Sequence, residues 1–114
     1  MTVKIGVVGP CGAGKSTLIA ALKQYGINAK HIAQEHSYVP DMWKRITNPD
    51  LLIYLDISYP LTIQRRRLSW TLEEYNEQIS RLRHARVHAD IYISTDQLTP
   101  RQVLDLVLKA LGSS

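Results

Sequence analysis

One short segment constrains this chain more than any other: residues 9–17 read GPCGAGKST and fit the pattern G-x-x-x-x-G-K-[S/T]. An apolar run at residues 3–8 precedes the segment, and apolar residues at helical spacing follow it. The segment therefore predicts a buried strand, a tight glycine-rich loop and a helix in direct succession. That succession is typical of an α/β protein built on parallel strands.

The residue types in this loop suit a polyphosphate. Glycines let the main chain curl so that successive N–H groups face an anion, and a helix that begins near Gly14 adds the positive end of its dipole. We expect Lys15 to reach the outer phosphates, Ser16 to bind Mg²⁺, and Thr17 to steady the loop or contact the inner phosphate. Cys11 occupies a variable position and is interpreted as a small filler. The predicted nucleotide-binding residues are Gly9, Gly12, Ala13, Gly14, Lys15, Ser16 and Thr17, with ATP and Mg²⁺ as ligands.

Composition favours one domain over residues 1–114, with 45% hydrophobic residues and a single cysteine, which excludes an internal disulfide. No run approaches the roughly 20 apolar residues that span a bilayer, and no secretory signal pattern precedes the first strand. We therefore expect a cytoplasmic protein with no membrane partner. The net charge of +4 is mild, and no aromatic platform accompanies the arginines, so nucleic acid is not the favoured partner.

Strand and helix patterns alternate along the rest of the chain. Further strands are predicted at residues 27–33, 51–57 and 90–94, and helices at 15–25, around 42–45, at 60–67, at 71–88 and after Thr99. Thr71 with Glu74, and Thr99 with Gln102, have the spacing of capping boxes. This alternation predicts a three-layer α/β/α fold with a parallel sheet of about four strands and the loop at the carboxyl end of the first strand.

With its parts in this order, the chain resembles the P-loop kinases of the adenylate-kinase-like group, which includes small nucleoside and nucleotide kinases. GPCGAGKST matches the phosphate loop of that family. LIYLD at 52–56, then Pro60 and RRR at 65–67, resemble its later strand and arginine-bearing helix, and ADIYISTD at 89–96 resembles its final strand. The resemblance implies that one or more of Arg65, Arg66 and Arg67 contacts phosphates or stacks on the base. It also implies that the turn at 95–98 lies near the adenine.

The catalytic and metal residues are less firmly fixed by the sequence. An acidic residue normally supports Mg²⁺, directly or through water. Glu35 after the second strand and Asp56 at the end of the third are the candidates, followed by Asp41. Together with Lys15, the predicted catalytic set contains Arg66, which would stabilise charge on a transferring phosphoryl group, and Asp56. Arg81 and Arg83 are predicted to form a solvated helix face, and His84 with His88 has metal-ligand spacing but no evident third ligand.

Three functions remain open. The first is a kinase or nucleoside triphosphatase that passes a phosphoryl group to a small acceptor or to water. The second is a catalytically degenerate nucleotide-binding module that regulates a protein partner. A missing element motivates this second function. The family usually carries a further acidic strand, the Walker B element, before Leu51, and about fifteen irregular residues stand there instead. The third is a nucleic-acid binder. A GTPase is disfavoured because the Asn/Thr-Lys-x-Asp element that selects guanine is absent.

Overall fold

Strands and helices alternate along this computed structural model, which describes residues 3–66 and 69–112, and of Arg66 only the main chain. The strands are β1 (Ile5–Val8), β2 (Ala29–His31), β3 (Leu51–Asp56) and β4 (Ile91–Ser94). The helices are α1 (Lys15–Gln24), α2 (Met42–Ile46), α3 (Tyr59–Arg66), α4 (Leu72–Arg81), α5 (Arg83–His88) and α6 (Pro100–Ala110). A single 3₁₀ turn, Gln34–His36, follows β2.

The four strands form one parallel sheet in the order β2-β1-β3-β4. Ile5 lies opposite Ala29 on one side and opposite Leu51 on the other, so β1 pairs with both β2 and β3. Because all four strands run the same way, their carboxyl ends meet at one edge of the sheet. The glycine-rich loop, the 3₁₀ turn and the segments after β3 and β4 therefore lie along that edge, and for the glycine-rich loop this is the predicted position.

Two hydrophobic clusters pack on opposite faces of the sheet. In β3, Ile53 and Leu55 contribute to one cluster, whereas Leu52 and Tyr54 contribute to the other, as expected of a strand covered on both faces. The first cluster also contains buried side chains from α1 and α6, and the second contains Trp43 from α2 and residues around α5. The predicted α/β architecture with a four-stranded parallel sheet is confirmed.

The predicted single helix at 71–88 is wrong in one respect, because two helices meet at Leu82. The Leu82 amide donates to the carbonyl groups of both Gln78 and Ile79, which tightens the turn there. Leu82 and Ala85 are fully buried against the sheet, whereas α4 leans toward the 3₁₀ turn. Leucine is a good helix former, so nothing in the local sequence marks this break.

The ends of the helices follow the sequence closely. Both capping boxes are present: Thr71 accepts from the Glu74 amide and Thr99 from the Gln102 amide, and each partner side chain bonds back.

The predicted strand at 27–33 is shorter than expected, although the Ile32 amide still donates to the Val7 carbonyl. Within residues 3–66 and 69–112, no helix has the length and apolar character needed to cross a bilayer.

Candidate functional site

The loop after β1 curls tightly through glycines with positive φ angles. At Gly9 the main chain has φ 154° and passes so close to β3 that a Cβ atom would collide with the Leu55 carbonyl oxygen. Gly14, with φ 93° and ψ 24°, is the N-cap of α1 in the left-handed conformation. Residues with side chains rarely adopt this conformation, so the loop and the start of the helix both depend on glycine.

Helix α1 begins at the end of this loop without a side-chain cap, since Gly14 offers none. The first amides of an α-helix have no acceptor within the helix, and the helix dipole makes them a favourable position for an anion. Lys15, Ser16 and Thr17 form this first turn, and the side chains of Ser16 and Thr17 are exposed. The first turn of α1 therefore presents free N–H groups and two hydroxyl groups on the same side of the molecule.

Lys15 is held inside the loop by three acceptors. Its Nζ atom donates to the carbonyl oxygen of Gly9, to that of Pro10 at 3.3 Å and to Oε2 of Glu35 at 2.7 Å. Lys15 is only 7% exposed and Glu35 only 2%, so the two charges form a buried pair. The other Glu35 oxygen, Oε1, is buried and has no hydrogen-bond partner among the described residues.

Two adjoining cavities flank the loop. The first, of about 230 Å³, is walled by the loop, the start of α1 and the end of β2. The second, also of about 230 Å³, lies between α1, α3 and the segment after β4 and has mainly apolar walls. Gly12, Gly14 and Thr17 line both cavities, so a single elongated ligand could extend from one into the other.

Arg65 is the arginine that the structure brings to the second cavity. Its Nη2 atom donates to the carbonyl oxygen of Asp96 at 2.5 Å, and Nη1 lies 3.5 Å from Oγ1 of Thr95. Thr95, Leu98, Pro100 and Val103 complete the wall opposite α1. This is the turn at 95–98 that the resemblance implies near an adenine. The side chain of Arg66 and the whole of Arg67 lie outside the described residues. The roles predicted for these two arginines therefore stay predictions.

The candidate carboxylates fall in different places. Glu35 lies in the first cavity against Lys15. Asp56, at the end of β3, accepts hydrogen bonds from the Tyr92 hydroxyl group and the Ile57 amide, and it lines neither cavity. Asp41 accepts from Arg45 at 2.8 Å, a contact that lowers the pKa of Asp41, and it also lines neither cavity. Of the three, only Glu35 contacts Lys15 and lines one of the two cavities.

Helix α4 braces the loop through residues that the sequence did not single out. The side chain of Gln78 is buried; its Oε1 accepts from the Cys11 amide at 3.0 Å, and its Nε2 donates to the Cys11 sulfur at 3.2 Å. Arg81 donates to the carbonyl oxygen of Glu35 at 3.3 Å and is only 17% exposed. The predicted solvated face is therefore wrong for Arg81, whereas Arg83 is exposed as expected.

Gln34 fixes the 3₁₀ turn that carries Glu35. It is fully buried, its Oε1 accepts from the Trp43 amide, and its Nε2 donates to the carbonyl oxygens of Val39 and Arg81. The bond to Arg81 joins segments 47 positions apart, and the bonds to Val39 and Trp43 lie within an irregular segment, so sequence patterns could not reveal them. The polar run Gln34-Glu35-His36 directly after a predicted strand was the one available signal for His36.

The four histidines divide into two groups. His31 and His36 each place Nε2 3.8 Å from Oε2 of Glu35. Burial first, and then the nearby Lys15 charge, lower the pKa of His31, although Glu35 opposes both effects. His84 and His88 stack on each other at 4.2 Å beside Trp43, and Nδ1 of His84 accepts from the Trp43 indole. Neutral His84 then carries its proton on Nε2, so neither ring nitrogen has a lone pair free for a metal ion. This disfavours a metal site formed by His84 and His88.

No protein-family model and no curated protein matches this chain.

Proposed function

We propose that this chain is a P-loop protein that binds a nucleoside triphosphate, ATP with Mg²⁺, through the loop at residues 9–17. The single observation that carries the proposal is the position of the glycine-rich bend. It leads from the first parallel strand into a helix without a side-chain cap and opens on a cavity lined by Lys15, Ser16 and Thr17. A polyphosphate is the ligand that suits the free amides at the start of α1 together with one ammonium and two hydroxyl groups.

The second cavity supports a nucleoside as the remainder of the ligand. Its mainly apolar wall, which includes Leu98 and Val103, suits the flat face of a base, and Arg65 lies at the same wall. Ligand pockets are commonly apolar with a few placed polar groups. Since both cavities share loop residues, phosphates in the first and a base in the second form one continuous ligand. We propose adenine on the resemblance alone.

The residues in the first cavity also fit a magnesium ion. The Ser16 hydroxyl and the Glu35 carboxylate would hold the ion, directly or through water, and the buried Glu35 oxygen without a partner is the observation that favours this fit. The ion would supply charge neutralisation at the phosphates. When a nucleotide binds, the three hydrogen bonds of Lys15 must rearrange. The ammonium group has three N–H donors, and the acceptors of Gly9, Pro10 and Glu35 occupy all of them.

Phosphoryl transfer to a small acceptor or to water is the activity we propose for this site, with Lys15 and an arginine stabilising the charge that develops. A nucleotide-binding module that regulates a partner is the second candidate, and one observation favours it. Residues 32–50 contain the 3₁₀ turn and α2 but no strand, so the acidic Walker B strand of the family has no counterpart there. A cytoplasmic location stays a prediction.

Calorimetric titration with ATP, GTP and ADP, with and without Mg²⁺, tests the proposal. We expect Lys15→Ala to weaken ATP binding by about 10- to 100-fold, the value of one charge-assisted hydrogen bond. Lys23→Ala, at an exposed position of the same helix, is the matched control and should leave affinity unchanged. Equal affinities for the two variants, or no nucleotide binding by the wild-type chain, would overturn the proposal.

Turnover separates the two candidates. Release of ADP that disappears in Lys15→Ala identifies the enzyme. Nucleotide binding without release of ADP under any acceptor tried, together with ATP-dependent capture of a partner, identifies the module.

A further inference from the structure

Three side chains of different chemistry converge beside the phosphate loop. The Cys11 sulfur lies 3.9 Å from Nε2 of His36, and that nitrogen lies 3.8 Å from Oε2 of Glu35. One ligand atom from each of the three residues falls within 4.8 Å of the others. A thiol, an imidazole and a carboxylate are the side chains that bind Zn²⁺, so the cluster differs from an all-oxygen site.

We infer that Cys11, Glu35 and His36 form a binding site for a Zn²⁺-class transition-metal ion at the mouth of the loop. In a tetrahedral zinc site, a sulfur and a nitrogen or oxygen ligand are separated by about 3.3–3.6 Å, as bond lengths of about 2.0–2.3 Å require. The Cys11–His36 and His36–Glu35 separations of 3.9 and 3.8 Å exceed that range by a few tenths of an ångström, and the Cys11 sulfur lies within 4.8 Å of a Glu35 oxygen. Metal binding therefore draws the three side chains closer together, and the exposed His36 ring has room to move.

Two further observations point to a ligand at this position. Oε2 of Glu35 already accepts from Lys15, but the other oxygen, Oε1, is buried without a hydrogen-bond partner among the described residues, which is costly unless something binds it. Nε2 of Gln78 donates to the Cys11 sulfur, and hydrogen bonds of this kind orient metal ligands and tune them. His31, whose Nε2 atom lies 3.8 Å from Glu35, is available as a fourth ligand, and water is the alternative.

Binding has a defined proton balance. The Cys11 thiol loses its proton to solvent as the sulfur–metal bond forms, and no electron transfer is involved. The site lies in the same cavity as Lys15 and Ser16, so a metal held there occupies space that the proposed phosphates would fill. The site itself does not depend on the proposed function, because it is formed by the free chain.

The experiment titrates the chain of residues 1–114 with Zn²⁺ alone, without nucleotide, against a chromophoric chelator, and repeats the titration with Co²⁺. We expect one ion per chain and, with cobalt, a thiolate-to-metal absorption band. Cys11→Ser should abolish that band and weaken Zn²⁺ binding at least about tenfold. His36→Gln, at an exposed side chain that folding does not require, should weaken it similarly.

His88→Gln, which removes an exposed histidine outside the cluster, is the matched control and should bind as the wild type does. Zn²⁺ binding that is equal in wild type, Cys11→Ser and His36→Gln would overturn the inference, as would a cobalt complex without the thiolate band. ATP titrations in a zinc-free buffer test the proposed function separately, so failure of one does not imply failure of the other.

Discussion

The Lys15 ammonium lies 2.7 Å from Oε2 of Glu35, and both side chains are almost completely removed from solvent. Lys15 belongs to the glycine-rich loop and Glu35 to the 3₁₀ turn after β2, so their contact joins the two segments at the carboxyl edge of the sheet. A buried ion pair is not a large source of stability by itself, but removal of one partner leaves an uncompensated charge. This asymmetry determines how the site responds to substitution.

Glu35→Gln is expected to lower the free energy of unfolding by about 3 kcal/mol, because Lys15 would then be buried without a counter-charge. Urea denaturation followed by circular dichroism measures the change. Asp105→Asn is the matched control, because its ion pair with Arg101 is exposed, and it should change stability by less than about 0.5 kcal/mol. Adding Lys15→Met to Glu35→Gln should recover part of the loss. Similar values for Glu35→Gln and Asp105→Asn would contradict a buried pair.

Gly9→Ala should destabilise the fold more than Gly26→Ala does. Both glycines have positive φ angles, so each alanine carries backbone strain of about 1 kcal/mol. Only at Gly9 does the new methyl group also collide with a main-chain atom, the Leu55 carbonyl oxygen, whereas Gly26 has open space. We expect a total of about 3 kcal/mol at Gly9. Thermal or urea unfolding checks this, and equal losses for the two variants would mean that the loop lies further from β3.

Arg65→Ala tests which end of the proposed ligand Arg65 serves. Because Arg65 lines the mainly apolar cavity with Thr95 and Leu98, we expect ATP affinity to fall about tenfold while binding of inorganic triphosphate stays unchanged. Arg83→Ala, which removes an exposed arginine of α5, is the control. An equal loss for ATP and triphosphate would instead assign Arg65 to the phosphates, which is the other role the resemblance allows.

Tyr75 gives the fold a measurable alkaline pH dependence. Its hydroxyl group donates to the carbonyl oxygen of Ile57 at 2.6 Å, and burial, followed by the charge of Asp56, raises the pKa of Tyr75 to about 12. The unfolded chain ionises tyrosine near pH 10, so between these values the folded state holds a proton that the unfolded state has lost. The stability from this group is complete below about pH 10 and is lost as the pH rises toward 12.

Tyr75→Phe should therefore reduce the loss of stability that accompanies a rise in pH from about 9 to 11, measured by urea denaturation at several pH values. Tyr38→Phe, at a side chain that is 82% exposed, keeps the aromatic ring and serves as the control. If the two variants show the same pH dependence as the wild type, Tyr75 does not keep its proton through this range.

The sequence predicted the parts of the fold that depend on local patterns. The apolar run before the loop, the glycines within it and the two capping boxes each carry their own signal, and the structure contains all of them. The break at Leu82 carries none, because it results from burial of Leu82 against the sheet while α4 turns toward the loop. Helical periodicity continues through such a break.

The candidate site was predicted in part, for a similar reason. Lys15, Ser16 and Glu35 stand near recognisable patterns, whereas Gln34 bonds to Arg81 and Gln78 to Cys11, each across a long stretch of chain. A buried glutamine has no sequence signature, since glutamine is common on helix surfaces. Arg81 was assigned to the surface by the same reasoning, and its contact with the Glu35 carbonyl group shows why that was wrong.

The double hydrogen bond between Gln78 and Cys11 has a consequence beyond support of the loop. The Gln78 side chain contacts both the main chain and the sulfur of Cys11, so a covalent change at that sulfur alters the acceptor of Gln78 Nε2. Alkylation or oxidation of the Cys11 sulfur would thus act on helix α4 at Gln78, 67 positions away in the chain. The Cys11 thiol and helix α4 are therefore coupled through Gln78, and a spectroscopic label on either should report a change at the other.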